Sequence, residues 1–328
     1  MSLRIHSKTA VIAVLIATIT AVSPSHAGEQ NYPSKPVRLV IPFSAGGPND
    51  IAARIVADEL GKALGQRFVA DNRPGAGGNI AAELAAKSAP DGYTLFWAQA
   101  ATHGINPSLY RDLRYDAVKD FAPVGLIAAW PMVLVANPSL GVTDIKGLIA
   151  LAKSKPGKLN FASGGTGTLP HMAGELLATL ADIRWTHVPY KGSDPALPDV
   201  IGGHVDLMFD GIPSVLPYIR SGKLKALGVA TAARSNVLPS VPAIGESIPG
   251  FEVIGWTGLV APTGTPREII ERLSAALTQI ARSATLKERF EQLGISTRTA
   301  TPEATAAHIR AEIDKWRKVV EMTGAKVE

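Results

Sequence analysis

Val37-Arg38-Leu39-Val40-Ile41-Pro42-Phe43-Ser44-Ala45-Gly46-Gly47-Pro48-Asn49-Asp50 is the stretch that decides the fold. Its first five residues form a short, β-branched, nearly continuous apolar run, the pattern of a strand buried on both faces of a parallel sheet. Gly46 and Gly47 make a tight turn, and Pro48 presets the start of a helix. That helix is expected over 49–64: Ile51, Ile55, Leu60 and Leu64 fall near one face, and Gly65 stops it. Phe68-Val69 reads as the next strand, Asn72-Arg73-Pro74-Gly75-Ala76-Gly77-Gly78 as a turn, 79–89 as a second helix and 93–97 as a third strand. The order β-α-β-α-β predicts an α/β fold with parallel strands.

The pattern then recurs with different content. Strands are expected at 132–135, 159–162, 186–189, 205–209, 224–230 and 257–260, and helices at 144–153, 172–180, 195–201 and 216–220. Two amphipathic helices, over 267–283 and 302–322, close the chain. The arrangement predicts two α/β lobes, the first from 28–131 and 232–328, the second from 132–231. About 120 residues after the first glycine turn stands a second, Ser163-Gly164-Gly165-Thr166-Gly167-Thr168-Leu169-Pro170-His171, again between a strand and a helix.

Residues 1–27 read as an export signal: Arg4 and Lys8 precede an uncharged apolar run, and Ser25-His26-Ala27 is a small-x-small cleavage site, with the cut expected after Ala27. No later apolar run reaches the roughly 18 residues of a membrane span. The chain has no cysteine, which excludes a lipid anchor at the cleavage site, disulfides and thiolate metal sites. The expectation is a soluble, exported monomer. Without the first 27 of 328 residues, 301 remain, and 31 basic against 28 acidic residues leave a net charge of +3. That balance, with no basic run interleaved with aromatics, predicts no nucleic-acid partner.

Each glycine turn offers backbone N–H groups at the positive end of a helix, where an anion gains roughly 0.3–1 kcal/mol per helix end. The candidate ligand contacts are Phe43, Ser44, Gly46, Gly47 and Asp50 in the first turn and Gly165, Thr166, Gly167, Thr168 and His171 in the second. Thr102 follows a strand end, where ligands of open α/β sheets sit. Tyr190 and Asp210 complete the set. Asp50 reads foremost as holding its loop by hydrogen bonds, His171 and Asp210 equally suit local hydrogen bonding, and Thr168 equally suits a helix cap. Trp97, Trp130 and Trp256 read as packing residues. Gly-x-Ser-x-Gly, His-Glu-x-x-His and Gly-Lys-Ser/Thr motifs are missing, and the glycines do not follow a dinucleotide pattern, so neither cofactor nor metal is expected.

The same segments, with Asp91-Gly92-Tyr93-Thr94-Leu95, Asn106-Pro107-Ser108-Leu109-Tyr110, Val188-Pro189-Tyr190-Lys191-Gly192, Gly202-Gly203-His204-Val205-Asp206 and Gly222-Lys223-Leu224-Lys225-Ala226-Leu227, give the chain its family likeness. It resembles the periplasmic solute-binding receptors of tripartite tricarboxylate transporters, the Bug proteins, over essentially its whole length after residue 27. The resemblance implies a type-II periplasmic-binding fold with a ligand cleft between two lobes. It also implies a small organic carboxylate as ligand and a two-component membrane permease as partner. Two positions depart from the family pattern: Thr168, where serine is usual, keeps a hydroxyl, and Ala243, where threonine is usual, is expected outside the cleft. Two other readings remain open. One is a carboxylate sensor for a membrane kinase; the other is an exported hydrolase using Thr168 with His171.

Overall fold

β1 (Val37–Ile41) is the hub of one sheet: it pairs in parallel with β2 (Phe68–Asn72) on one side and β3 (Thr94–Gln99) on the other. A computed structural model describes residues 32–327, so the expected signal segment lies outside the described residues. α1 (Pro48–Leu64) starts with proline in its first turn and stops at Gly65, whose N–H bonds the Gly61 carbonyl. α2 (Asn79–Ala86) buries Ala81, Ala82 and Ala85, so that small side chains let it lie close to the sheet.

After β3 the chain passes through a π-helical turn (Ala101–Ile105) and α3 (Asn106–Leu109) into β4 (Phe121–Ala136). The expected strand at 132–135 is only the end of this element. β4 runs through Pro123 and Pro131; its pairing with β9 shifts register between Pro123 and Gly125 and between Leu126 and Ala128, and Pro131 stays paired opposite Ile254. β4 carries both lobes. Its first part pairs antiparallel with β9 (Ile254–Pro262) as far as Pro131, and from Met132 it pairs with β7 (Leu207–Gly211) and β8 (Lys225–Val229).

α4 (Ile145–Ser154), β5 (Asn160–Ser163), α5 (Leu169–Ala181), β6 (Thr186–Pro189), α6 (Ser193–Gly202) and α7 (Ile212–Arg220) complete the second lobe, in which β5 pairs in parallel with β6 and β7. The strand order is β2-β1-β3-β9-β4-β7-β5-β6, with β8 and β10 (Ser296–Thr297) also on β4. The pleat sorts the core by alternation: Met132, Leu134 and Ala136 join the larger hydrophobic cluster, while Val133 and Val135 face a second cluster with Val200, Met208, Val215 and Val229.

α8 (Arg267–Arg282) buries Ile269, Ile270, Leu273, Leu277 and Ile280, as its pattern predicts. A separate helix that the pattern did not reveal follows at once, α9 (Ala284–Leu293), capped by the Ser283 hydroxyl accepting from Leu286 N–H at 3.2 Å. α10 (Pro302–Thr323) returns to pack on β4 and the π-helical turn of the first lobe. No helix of the described residues is long and apolar enough to cross a membrane.

Candidate functional site

The two glycine turns face one another across a cavity between the lobes. Phe43, Ser44 and Gly47 line it from the first turn, and Gly164, Thr168, Leu169 and Pro170 from the second. Each turn therefore sets the start of a long helix at the cavity, α1 from one lobe and α5 from the other. The first-turn amides of a helix lack intrahelical acceptors, so both helices point uncommitted donors and a positive dipole end towards the space between them.

The first turn is held from behind. Asp50, 3% exposed, accepts from Gly46 N–H at 3.1 Å, from Asn72 Nδ2 at 2.9 Å and from Arg54 Nε at 2.9 Å. Asn72 Nδ2 also donates to the Phe43 carbonyl at 2.8 Å. Gly46 has φ of +90°, a left-handed backbone that glycine adopts freely, and a Cβ there would collide with the Asp194 carboxylate of the other lobe.

The second turn is pinned by its own strand. Gly165 N–H donates to Ser163 Oγ at 3.1 Å, and that hydroxyl bonds His187 Nε2 at 2.6 Å. His187 stacks on His171, with ring centroids 4.1 Å apart, and His171 Nδ1 accepts from Gly167 N–H at 3.3 Å. Burial pushes His171 down to about 4; burial, with the charge of His171 added, pushes His187 down to about 3. Both rings are neutral props. Thr168 stands at the N-cap position, but its hydroxyl donates to the Gly165 carbonyl at 2.7 Å. Thr168 Oγ1 and His171 Nδ1 thus bond within the loop, and no hydrogen bond joins the two residues as a catalytic pair.

Of the other sequence candidates, Asp210 lines the cavity from the end of β7. It is 1% exposed; Oδ1 accepts from Gly211 N–H at 2.8 Å, and Oδ2 has no protein partner. Burial raises its carboxyl to about 7, opposed by the nearby Ser193 hydroxyl and the Gly211 amide and reinforced by the charge of Asp194. The remaining candidates lie off the cavity lining. Gly46 and Asp50 form the support behind it, and Gly165, Thr166 and Gly167 form the body of the second loop. Thr102 is fully buried in the π-helical turn, bonded to His103 Nδ1 at 3.0 Å. Tyr190 donates to Asp199 at 2.5 Å, away from the space.

Sequence reasoning passed over several lining residues. Gln99 ends β3, three positions before Thr102, so the strand-end rule found the region and missed the side chain. Trp130 and Trp256 form walls, with Phe43, Met132, Leu169 and Pro170 as the other apolar surfaces. They come from the paired crossover strands β4 and β9, and no local pattern tells a wall tryptophan from a core one. Trp256 is fixed by donating to Glu312 at 2.7 Å, a carboxylate shared with Trp316 at 3.1 Å. The polar lining is Ser44, Asn49, Gln99, Thr168, Ser193 and Asp210; no lysine or arginine is among the lining residues.

Two lobes joined by long crossover strands, with opposed helix starts over a closed cleft, define a solute-binding protein of the two-lobe periplasmic type. Comparison with known proteins gives the family. Residues 52–325 match the model of the tripartite tricarboxylate transporter family receptor, and the chain belongs to that family. It is 38% identical over 321 residues to the protein BugT of Bordetella pertussis, covering 97% of this chain and 98% of that one. Among solved structures, a Rhodopseudomonas palustris protein with adipate matches at a TM-score of 0.88 and 37% identity, over 90% of this chain and 100% of that one. MatC from Rhodopseudomonas palustris, with bound malate, matches at 0.84 and 37% identity, over 88% and 100%.

Proposed function

We propose that the protein captures a small organic carboxylate in the periplasm and delivers it to a two-component membrane permease of the tripartite tricarboxylate type. The observation that carries this reading is the convergence of two amide-lined helix starts, one per lobe, on one cavity without a basic side chain. A carboxylate needs several fixed donors, and backbone amides supply them without the entropy cost of ordering long side chains. The ligands of the two Rhodopseudomonas proteins, adipate and malate, support the class. The lobes are taken as 28–131 with 232–328, and 132–231, with export completed by cleavage after Ala27. Ligand bound across the cleft favours the closed pair of lobes, and that closed surface is what a permease would read.

Thr168 and His171, the pair that the hydrolase reading needs, are not hydrogen-bonded to one another, which weighs against that reading. Calorimetric titration of the protein lacking residues 1–27 with dicarboxylates, aromatic acids and acidic amino acids tests the proposal. At least one should bind near micromolar, about −8 kcal/mol; no heat from any of them at millimolar concentration would refute it.

A further inference from the structure

Three buried side-chain atoms among the cavity-lining residues have no protein partner: Asn49 Oδ1 and Gln99 Nε2 from the first lobe, and Asp210 Oδ2 from the second. Gln99, 3% exposed, uses Oε1 to accept from Ala101 N–H at 2.9 Å, which fixes the amide orientation and leaves Nε2 unpaired. Asp210 uses Oδ1 for Gly211 N–H and leaves Oδ2 unpaired. Buried polar atoms are nearly always hydrogen-bonded in folded proteins, so each exception asks for a partner. Gln99 Nε2 needs an acceptor, which any carboxylate provides. When Asp210 is ionised, its Oδ2 needs a donor, which an ionised, unsubstituted diacid does not possess.

We infer that Asp210 is a specificity-determining residue that accepts a hydrogen bond from the ligand itself, so the ligand class is a carboxylate that also bears a hydroxyl or an ammonium group. This rests on the carboxylate reading above and narrows it. The setting supports it. No lysine or arginine lines the cavity to neutralise Asp210, and the carboxylate of Asp194 adds like charge. The Ser193 hydroxyl stands near and the Gly211 amide bonds Oδ1, but neither makes a hydrogen bond to Oδ2, so the ionised carboxyl stays costly in that setting, which matches its displacement to about 7. A site built around a ligand donor rejects analogues lacking it, because the buried acceptor is then left unpaired.

The test is titration of the protein lacking residues 1–27 with matched acids: succinate and its 2-hydroxy and 2-amino derivatives, and adipate with its 2-hydroxy and 2-amino derivatives. In the wild type, a substituted acid should bind at least about tenfold tighter than its parent, the scale of one hydrogen bond to a charged group. Asp210→Asn keeps an oxygen for Gly211 N–H and turns an NH2 towards the ligand, so it should abolish a preference for ammonium and spare one for hydroxyl. Asp210→Ala should abolish both. Parents binding as tightly as their derivatives in the wild type would overturn the inference, whatever the variants do. So would a preference that survives in both variants. Parent binding that strengthens on acidification and vanishes in Asp210→Ala would make Asp210 a proton donor, and would overturn it too. All three results leave carboxylate capture standing, whereas failure of every acid to bind the wild type removes both readings.

Discussion

Tyr110, in the first lobe, donates its phenolic O–H to the carbonyl of Thr166, in the second, at 3.1 Å. The ring also packs on Gly167, so this side chain bolts the second glycine turn to the opposite lobe. Tyr110→Phe keeps the ring and removes the bond. If closure is linked to binding, ligand affinity should fall about two- to tenfold, the effect of a net hydrogen bond of about 0.5–1.5 kcal/mol. Calorimetry on the variant checks this, and an unchanged dissociation constant would show that the bond plays no part in closure.

Asp50 is expected to matter through the loop it holds. Asp50→Ala strips an acceptor from Gly46 N–H, Asn72 and Arg54 at once. Denaturant unfolding should show a loss of about 1–3 kcal/mol, together with weakened ligand binding. Asp50→Asn, which retains one acceptor oxygen, should lose less. Equal losses in the two variants would argue against the hydrogen-bonding role.

Gly192 tests the approach of the lobes. It has φ of +121°, and a Cβ there would run into Ser44 Oγ across the cleft. Gly192→Ala should therefore weaken binding by about tenfold or more while circular dichroism stays near that of the wild type; the strain itself is worth about 1–3 kcal/mol. Adding Ser44→Gly should recover part of the affinity. Ser44→Gly alone measures what Ser44 itself contributes as a lining residue; no recovery after that effect is subtracted would mean that backbone strain, not collision, is responsible.

Acid should unfold the protein partly through its histidines. His171 and His187 have folded-state values near 4 and 3 against an ordinary 6.5, so below 6.5 the unfolded chain binds more protons than the native one. Their contribution to stability is complete above about 6.5 and is lost as the pH falls towards 4. Asp210, raised to about 7, acts in the opposite sense, adding stability as the pH falls through that value. His187→Gln should lower the melting temperature at pH 7 and flatten its decline between pH 6.5 and 4. An unaltered slope would show that His187 is not a buried neutral ring.

The sequence made the layered fold and both glycine turns legible because they depend on local patterns. A β-branched run, a glycine turn and an amphipathic helix need no distant partner to be recognised, and α1, α8 and α10 follow from apolar spacing alone. What stayed hidden depends on pairing. β4 runs through Pro123 and Pro131 because β9 holds it, and nothing in the local sequence shows that support. Gln99, Trp130 and Trp256 become wall residues only when strands distant in the chain meet. Asp50 was readable as a loop anchor, but its partner Asn72 was not. Asp210 could be placed at a strand end; its unpaired oxygen could not, since a missing partner is a property of the folded surroundings.

The most direct test is a crystal structure of the protein lacking residues 1–27, purified without removing what it carries and inspected for density between the lobes. The expected result is a carboxylate whose oxygens lie within hydrogen-bonding distance of backbone amides at the starts of both α1 and α5. A ligand bound elsewhere, or one touching only one of these two helix starts, would contradict capture between the lobes.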